Sequence, residues 1–377
     1  MVKKVFIEAI ATLMGCVLGA GTLGIPYVVA QSGFLLGIIW ILGLGFGILL
    51  INLYMGEIVL RTKGYHQLTG YAEKYLGKKG RFFMTISMIV GIYGALLAYI
   101  IGVGNSLNAI SPYFTSFQYS LIFFITVTLF VLAGLKLIEK LEVGMGAIMI
   151  IIASIISIII LFSKNFIIEN LSTINVSNVF IPYGVVLFAY LGTAAIPEMH
   201  EELHRNKKLF KKAIIWGSII PIIIYSVFTL VVIGASGITT TEISTIGLGA
   251  IYGNYMTIFA NLFAVFAMTT SFMCLGLALK GMYTYDFKLK EISSWSLTVI
   301  VPLILFFIGL NNFIETLWFA GSIAAALAGI LIVLMHWRCK RRGDKKPEYS
   351  IKKNYVIGVI LMAIFFFGII YKILKFL

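Results

Sequence analysis

Charge is scarce in this chain. Only 12% of its 377 residues are Asp, Glu, Lys or Arg, against 60% hydrophobic. So few polar side chains cannot coat a soluble globule of this length, which leaves an integral membrane protein. Acidic residues are the scarcer sign, 15 against 29 basic, giving a net charge of +14. Lys and Arg fall in short clusters between apolar runs, the pattern of cytoplasmic loops, so no nucleic-acid partner is expected. Cysteine is nearly absent: Cys16 and Cys274 lie in apolar runs and Cys339 in a basic loop, which makes no disulfide framework and reads as small buried or incidental thiols. The first apolar run is too long for a signal peptide and lacks a small-residue cut site, so it is expected to be retained. There is no Walker motif, dinucleotide fingerprint, Ser/His/Asp arrangement or channel filter sequence.

What the chain has is hydrophobic length. Eleven spans are read at roughly 5–30, 33–60, 82–108, 118–136, 142–162, 178–200, 212–234, 253–285, 293–310, 312–337 and 354–376; about 20 apolar residues suffice to cross a bilayer. A cytoplasmic N-terminus places Lys3 and Lys4, six basic residues of 61–81, Lys136 and Lys140, five of 205–212, three of 280–290 and eight of 338–353 inside. Only Lys164, Lys372 and Lys375 then fall outside. That asymmetry predicts a multi-pass cell-membrane protein with its N-terminus cytoplasmic and its C-terminus outside. Between spans, 65–76 reads as a short interfacial helix. The outer loop 165–178, with N-x-Ser triplets at Asn170 and Asn175, reads as polar loop, and 235–249 as a connector or a small outer lid.

The first span has a fragile middle. Positions 15–27 read Gly-Cys-Val-Leu-Gly-Ala-Gly-Thr-Leu-Gly-Ile-Pro-Tyr, and Gly15, Gly19, Gly21, Gly24 and Pro26 together disfavour continuous helix. Opened backbone in hydrocarbon survives only where it lines a wet cavity or holds a ligand. The Gly15 to Gly19 spacing also suits close helix packing. A second copy favours the ligand reading: Gly21-Thr22-Leu23-Gly24-Ile25-Pro26 recurs 171 positions later as Gly192-Thr193-Ala194-Ala195-Ile196-Pro197. The same offset carries spans 2, 3, 4 and 5 onto spans 7, 8, 9 and 10. Five crossings per unit is an odd number, so the second unit is inverted. The expected fold is an all-α membrane protein of eleven helices, with helices 1 and 6 broken at mid-membrane. A first repeat occupies 1–163, its inverted copy 164–340, and a basic loop with a peripheral helix 341–377.

Gly19-Ala20-Gly21-Thr22-Leu23-Gly24-Ile25-Pro26-Tyr27 in span 1, with Phe188-Ala189-Tyr190-Leu191-Gly192 and Ile196-Pro197-Glu198 in span 6, resemble the amino acid/auxin permease group, including the tyrosine/tryptophan permeases, of the amino acid/polyamine/organocation superfamily. The resemblance implies the five-plus-five inverted-repeat fold of the leucine transporter and secondary active transport of amino acids by alternating access.

A free amino acid presents a carboxylate and an ammonium, and broken helices offer partners for both. The N–H groups at the positive end of the restarted half-helix, Ala20, Gly21, Thr22, Leu23 and Gly24, are expected to hold the carboxylate. Carbonyls closing the first half of span 6, at Phe188, Ala189 and Tyr190, are expected to accept the ammonium. Gly21 and Gly192 would let substrate approach the backbone. No Asp, Glu, Lys or Arg lies near the middle of a span, so a neutral zwitterion is preferred over a cation. Tyr99, Phe188 and Tyr190 are candidates for recognising its side chain, with core or lipid-facing packing as the alternative.

For coupling, Thr270 and Ser271 of span 8, with carbonyls of span 1 near Val17, resemble the sodium site of this fold. The alternative is back-bonding within the helix. Some sodium-coupled relatives carry an amide where this chain has Gly15 and Cys16, and span 5 lacks the lysine that replaces the ion in others. Glu198 is then the titratable group nearest a break, unless it is a solvated cytoplasmic end. The expected partners are an amino acid, a coupling proton or sodium ion, and the lipid bilayer, with no cofactor beyond sodium.

One motif competes. His200-Glu201-Glu202-Leu203-His204 matches H-E-x-x-H, which on a helix would serve a membrane-embedded zinc metalloprotease. Its position before Arg205-Asn206-Lys207-Lys208 instead suggests an amphipathic helix end. His66 and His336 read as interfacial.

Overall fold

Backbone polar groups in hydrocarbon must be paired within their own segment, and this chain solves that with helix. The computed structural model describes the backbone at 2–310 and 312–376 and side chains at 3–134, 143–310 and 312–371. The side chains of Lys136, Lys140, Lys372 and Lys375, counted in the charge pattern, lie outside the described residues. Among those described there is no strand. The helices are α1 (Val2–Val17), α2 (Ala20–Ser32), α3 (Phe34–Arg61), α4 (Leu68–Leu76), α5 (Lys78–Ile110), α6 (Ser116–Ala133), α7 (Leu135–Leu161), α8 (Ile181–Ala189), α9 (Ile196–Glu202), α10 (Phe210–Ser236), α11 (Ser244–Tyr252), α12 (Asn254–Gly281), α13 (Glu291–Phe307), α14 (Phe313–Phe319), α15 (Ala326–Arg342) and α16 (Tyr355–Phe376). A π-helical turn, Met282–Asp286, prolongs α12, and another, Ala320–Ala325, joins α14 to α15. Among the described residues eight segments are long and apolar enough to cross a membrane, the bent pair α1/α2 makes a ninth, and α13 and α16 are shorter apolar helices.

The glycine-rich stretch stops α1 as its composition requires. Leu18 N–H still bonds the Met14 carbonyl at 2.7 Å, but Gly19 is extended (φ −122°, ψ −144°) and its N–H turns back to Val17 O at 2.8 Å. Helix resumes at Ala20, bent by 48°. In the second copy α8 ends at Ala189, Gly192 N–H bonds Tyr190 O at 2.8 Å, a 3₁₀ turn covers Thr193–Ala195, and Ile196 opens α9 with Pro197 in its first turn. Proline is tolerated there because a first-turn N–H has no intrahelical acceptor.

Burial separates centre from rim. The Ile181–Glu202 segment has 83% of its apolar window buried and α5 78%, against 33% for α6 and 28% for Val143–Leu161. The first two form the centre, and α6 and α7 a wall facing lipid. Between helices in lipid the apolar effect contributes little, so close packing of small residues carries the association. Gly321, in the second π turn, sits against the Gly184 carbonyl and the Phe188 N–H of α8, where a Cβ would overlap backbone. The expected interfacial helix is α4, and the Asp286 carboxylate caps its amino end, accepting from Gln67 N–H at 3.2 Å, Gly70 N–H at 2.8 Å and the Thr69 hydroxyl. A negative group is stabilised at that helix end. The 235–249 stretch folds into a 3₁₀ turn, Gly237–Thr239, and the start of α11.

Two readings are corrected. Cys339 is not in a loop: α15 runs to Arg342, and the thiol is buried and donates to His336 O at 3.2 Å. His336 is not interfacial: it is fully buried, stacked on Tyr54 at 3.9 Å between ring centroids, with Nε2 3.1 Å from Glu57 Oε2. The Glu57 carboxylate, itself fully buried, also meets Arg61 Nε at 2.8 Å, Lys340 Nζ, the Ser350 hydroxyl at 3.0 Å and the Ile351 N–H at 2.7 Å. It ties α3, α15 and the basic loop together at one point.

Candidate functional site

Three helix ends meet where the two breaks face each other. The carbonyls that close α1 and α8, Val17 O and Ala189 O, both lie within reach of one group, the Tyr225 hydroxyl of α10, at 2.6 and 2.9 Å. The amino end of α2 opens on the same break. Its cap residue, Gly19, has no side chain to offer, so the Ala20 and Gly21 N–H groups have no intrahelical acceptor. A positive helix end thus stands beside two negative ones, and Ala20, Gly21, Thr22, Leu23, Gly24, Phe188, Ala189 and Tyr190 are all buried. The arrangement complements a zwitterion with main chain and one hydroxyl.

Sequence reasoning placed Tyr99 and Phe188 here, and the structure brings them together, with ring centroids 6.4 Å apart. A Cβ on Gly19 would lie 2.6 Å from Ser271 Oγ and 3.0 Å from the Tyr99 hydroxyl, so α5, α12 and the break converge on that glycine. Tyr190 turns the other way: its hydroxyl donates to Ile41 O of α3 at 3.0 Å, and its ring packs edge-on to Tyr225. The glycines act through packing. A Cβ on Gly21 would overlap Ala189, and one on Gly192 would overlap the Val17 side chain, so protein fills the room beside both. Gly24 is set against Leu317, Ile314 and Val185.

Of the expected ion-coupling groups, Ser271 and Thr270 stay close to α1 and α12 carbonyls while Val17 does not join them. Ser271 Oγ donates to Gly15 O at 2.7 Å, and Thr270 Oγ1 donates to Ala267 O at 2.9 Å in its own helix. The Val17 carbonyl is taken by Tyr225. Glu198 is not a solvated end: it is 2% exposed, accepts from Gln67 Nε2 at 3.5 Å and borders a cavity of about 150 Å³ shared with Glu201, Lys280 and Glu291. In the loop before α11, burial and then the nearby Glu315 raise the Glu242 carboxyl above its usual range.

Two features escaped the sequence. Tyr225 is one, a phenol among the aliphatic residues of span 7. The other is a relay from the second break: the Thr193 hydroxyl donates to Asn52 Oδ1 at 2.9 Å, and Asn52 Nδ2 donates to Ser218 Oγ at 3.2 Å. A buried asparagine inside span 2 was the available signal, since an amide in hydrocarbon needs a partner. The zinc motif does not assemble. The α9 helix stops at Glu202, so His204 lies beyond it with Nδ1 at 2.8 Å from Glu201 O, and among the described residues no group of three His, Cys, Asp or Glu could hold a metal.

Comparison with known proteins bears on family and fold. The chain is 26% identical over 372 residues to tyrosine-specific transport system 1 of Haemophilus influenzae, covering 92% of each, and 26% identical over 331 residues to glutamine transporter 2 of Aliivibrio fischeri, covering 84% of each. Its fold matches the crystal structure of MhsT in complex with L-phenylalanine, with a TM-score of 0.66 at 16% identity over 98% of this chain and 97% of that one. With residues 2–375 matching the family as a whole, the chain belongs to the tryptophan/tyrosine permease family and is a membrane transporter of amino acids, not an enzyme.

Proposed function

We propose that this chain carries a neutral amino acid, aromatic ones included, across the cell membrane by alternating access, coupled to protons or sodium. One observation carries the reading: the amino end of α2 and the carbonyls closing α1 and α8 converge, and the two broken stretches, 15–27 and 188–197, hold no charged residue. Such a site matches a carboxylate and an ammonium on one molecule, and would leave a cationic side chain without a partner. The relatives are named for tyrosine and glutamine, both neutral, which supports the same class.

In this reading the helices make eleven crossings, N-terminus inside, as two inverted units of five (1–163 and 164–340) plus the 341–377 segment. The α1–α3 and α8–α10 bundle rocks against α5, α6, α12 and α13. For sodium, an oxygen set of Gly15 O, Ala267 O, Thr270 Oγ1 and Ser271 Oγ has the right chemistry for a hard monovalent cation, with Gly15 in place of Val17. For protons the candidate is Glu198.

The test is uptake into proteoliposomes of radiolabelled tyrosine, tryptophan, phenylalanine, glutamine, leucine and arginine, with an inward sodium gradient, a choline gradient, or a pH gradient alone. Saturable uptake of neutral amino acids and little of arginine is expected. Arginine as the best substrate would overturn the zwitterion argument. Sodium dependence that survives Ser271→Ala would remove the assigned oxygen set.

A further inference from the structure

Main-chain carbonyls at the end of a helix need a donor, and in a dry membrane interior water does not supply one. Val17 O and Ala189 O belong to different helices, α1 and α8, and are 172 residues apart in sequence, yet both are served by the Tyr225 hydroxyl, which is 1% exposed. A phenol carries one proton, so two acceptors at 2.6 and 2.9 Å share it. An ammonium carries three. Gly21 against Ala189 holds α2 and α8 close together.

We infer that the Tyr225 hydroxyl is a built-in stand-in for the substrate's ammonium: it satisfies the break carbonyls while the site is empty and gives them up when an amino acid arrives. This rests on the transport reading above and adds to it a residue that sets affinity through competition. Every binding event must first separate the phenol from Val17 O and Ala189 O, and every release hands those carbonyls back. The tyrosine thereby gives Ala189 O a donor in the empty carrier, adds a second to Val17 O, which already accepts from Gly19 N–H at 2.8 Å, and weakens the hold on substrate, which a carrier needs in order to let go. Tyr225 is a positioning residue in this scheme.

The experiment compares wild type with Tyr225→Phe. Removing the hydroxyl takes the donor from Ala189 O in the empty protein alone, so L-tyrosine should bind at least about fivefold tighter to the variant, the value of one unsatisfied buried acceptor. The deaminated acid 3-(4-hydroxyphenyl)propionate, which lacks the ammonium, should bind the two proteins alike. A purely structural tyrosine would shift both ligands together or neither. Equal or weaker L-tyrosine binding by the variant overturns the stand-in role. Wild type that binds no member of the amino acid panel overturns the transport reading instead. Should the variant not fold, wild type carrying a ¹³C-ring-labelled tyrosine at 225 gives the same answer: its phenol C–O infrared band should move when L-tyrosine is added, and a fixed band contradicts the exchange of partners.

Discussion

Gly21→Leu should reduce uptake to background while the protein still reaches the membrane and elutes as a folded species. A side chain at this position meets the Cα and Cβ of Ala189, which belong to backbone that cannot rotate aside. Overpacking of this kind costs about 1–3 kcal/mol where neighbours can shift and more where they cannot. The α2 and α8 helices would separate, and Ala189 O would leave the group that Tyr225 holds with Val17 O. Gly192→Leu acts at the other break, through Val17 and Leu13, whose side chains can yield a little. The expected order is therefore complete loss at 21 and severe loss at 192. Uptake by equal amounts of reconstituted protein checks this, and near-normal transport by Gly21→Leu would dismiss the close approach of the two breaks.

The largest loss of stability is expected at Glu57. Its carboxylate stands between Arg61 and Lys340 and also holds His336, Ser350 and the Ile351 N–H. Glu57→Leu would leave two cations facing each other with part of their charge sheltered, and loosen the loop after α15, which the Tyr349 hydroxyl and the Asp344 N–H would still hold to Leu53 O and Arg61 O of α3. Breaking a buried pair in this way costs about 3–5 kcal/mol; the two cationic side chains keep some solvent contact, at 16% and 17%, so the lower end applies. Unfolding in mixed micelles should report a loss of about 3 kcal/mol, and trypsin should cut sooner at Lys345, the neighbouring Lys346 being protected by Pro347. Glu57→Gln should fall between, because an amide keeps acceptor capacity without the charge. A Glu57→Leu protein as stable and as protease-resistant as wild type would show that the cluster contributes nothing net.

Legibility followed the physics of each feature. The stretch from Gly15 to Pro26 was readable because its composition alone destabilises helix, and α1 does stop at Val17. The repeated Gly-Thr-x-x-Ile-Pro likewise marked where α8 gives way to α9. Tyr99 with Phe188 was foreseeable as aromatic groups near a break, whereas the partner of the Tyr190 hydroxyl, Ile41 O, was not: which side of a segment a residue faces is lost once helical periodicity is interrupted. His336 was read as interfacial because it sits near a span end, and the structure buries it under neighbouring segments.

Sequence by itself settled that this chain lives in a bilayer, is helical throughout and carries two weakened segments, since those follow from composition and local backbone preference. Tertiary structure alone decided which atoms meet at the weak points. Tyr225 became a shared donor, Gly21 a contact surface and Glu57 a hub because helices far apart in the chain were packed side by side. No local rule fixes the rotation of one helix against another; complementary side-chain shape and the need to pair every buried polar group do.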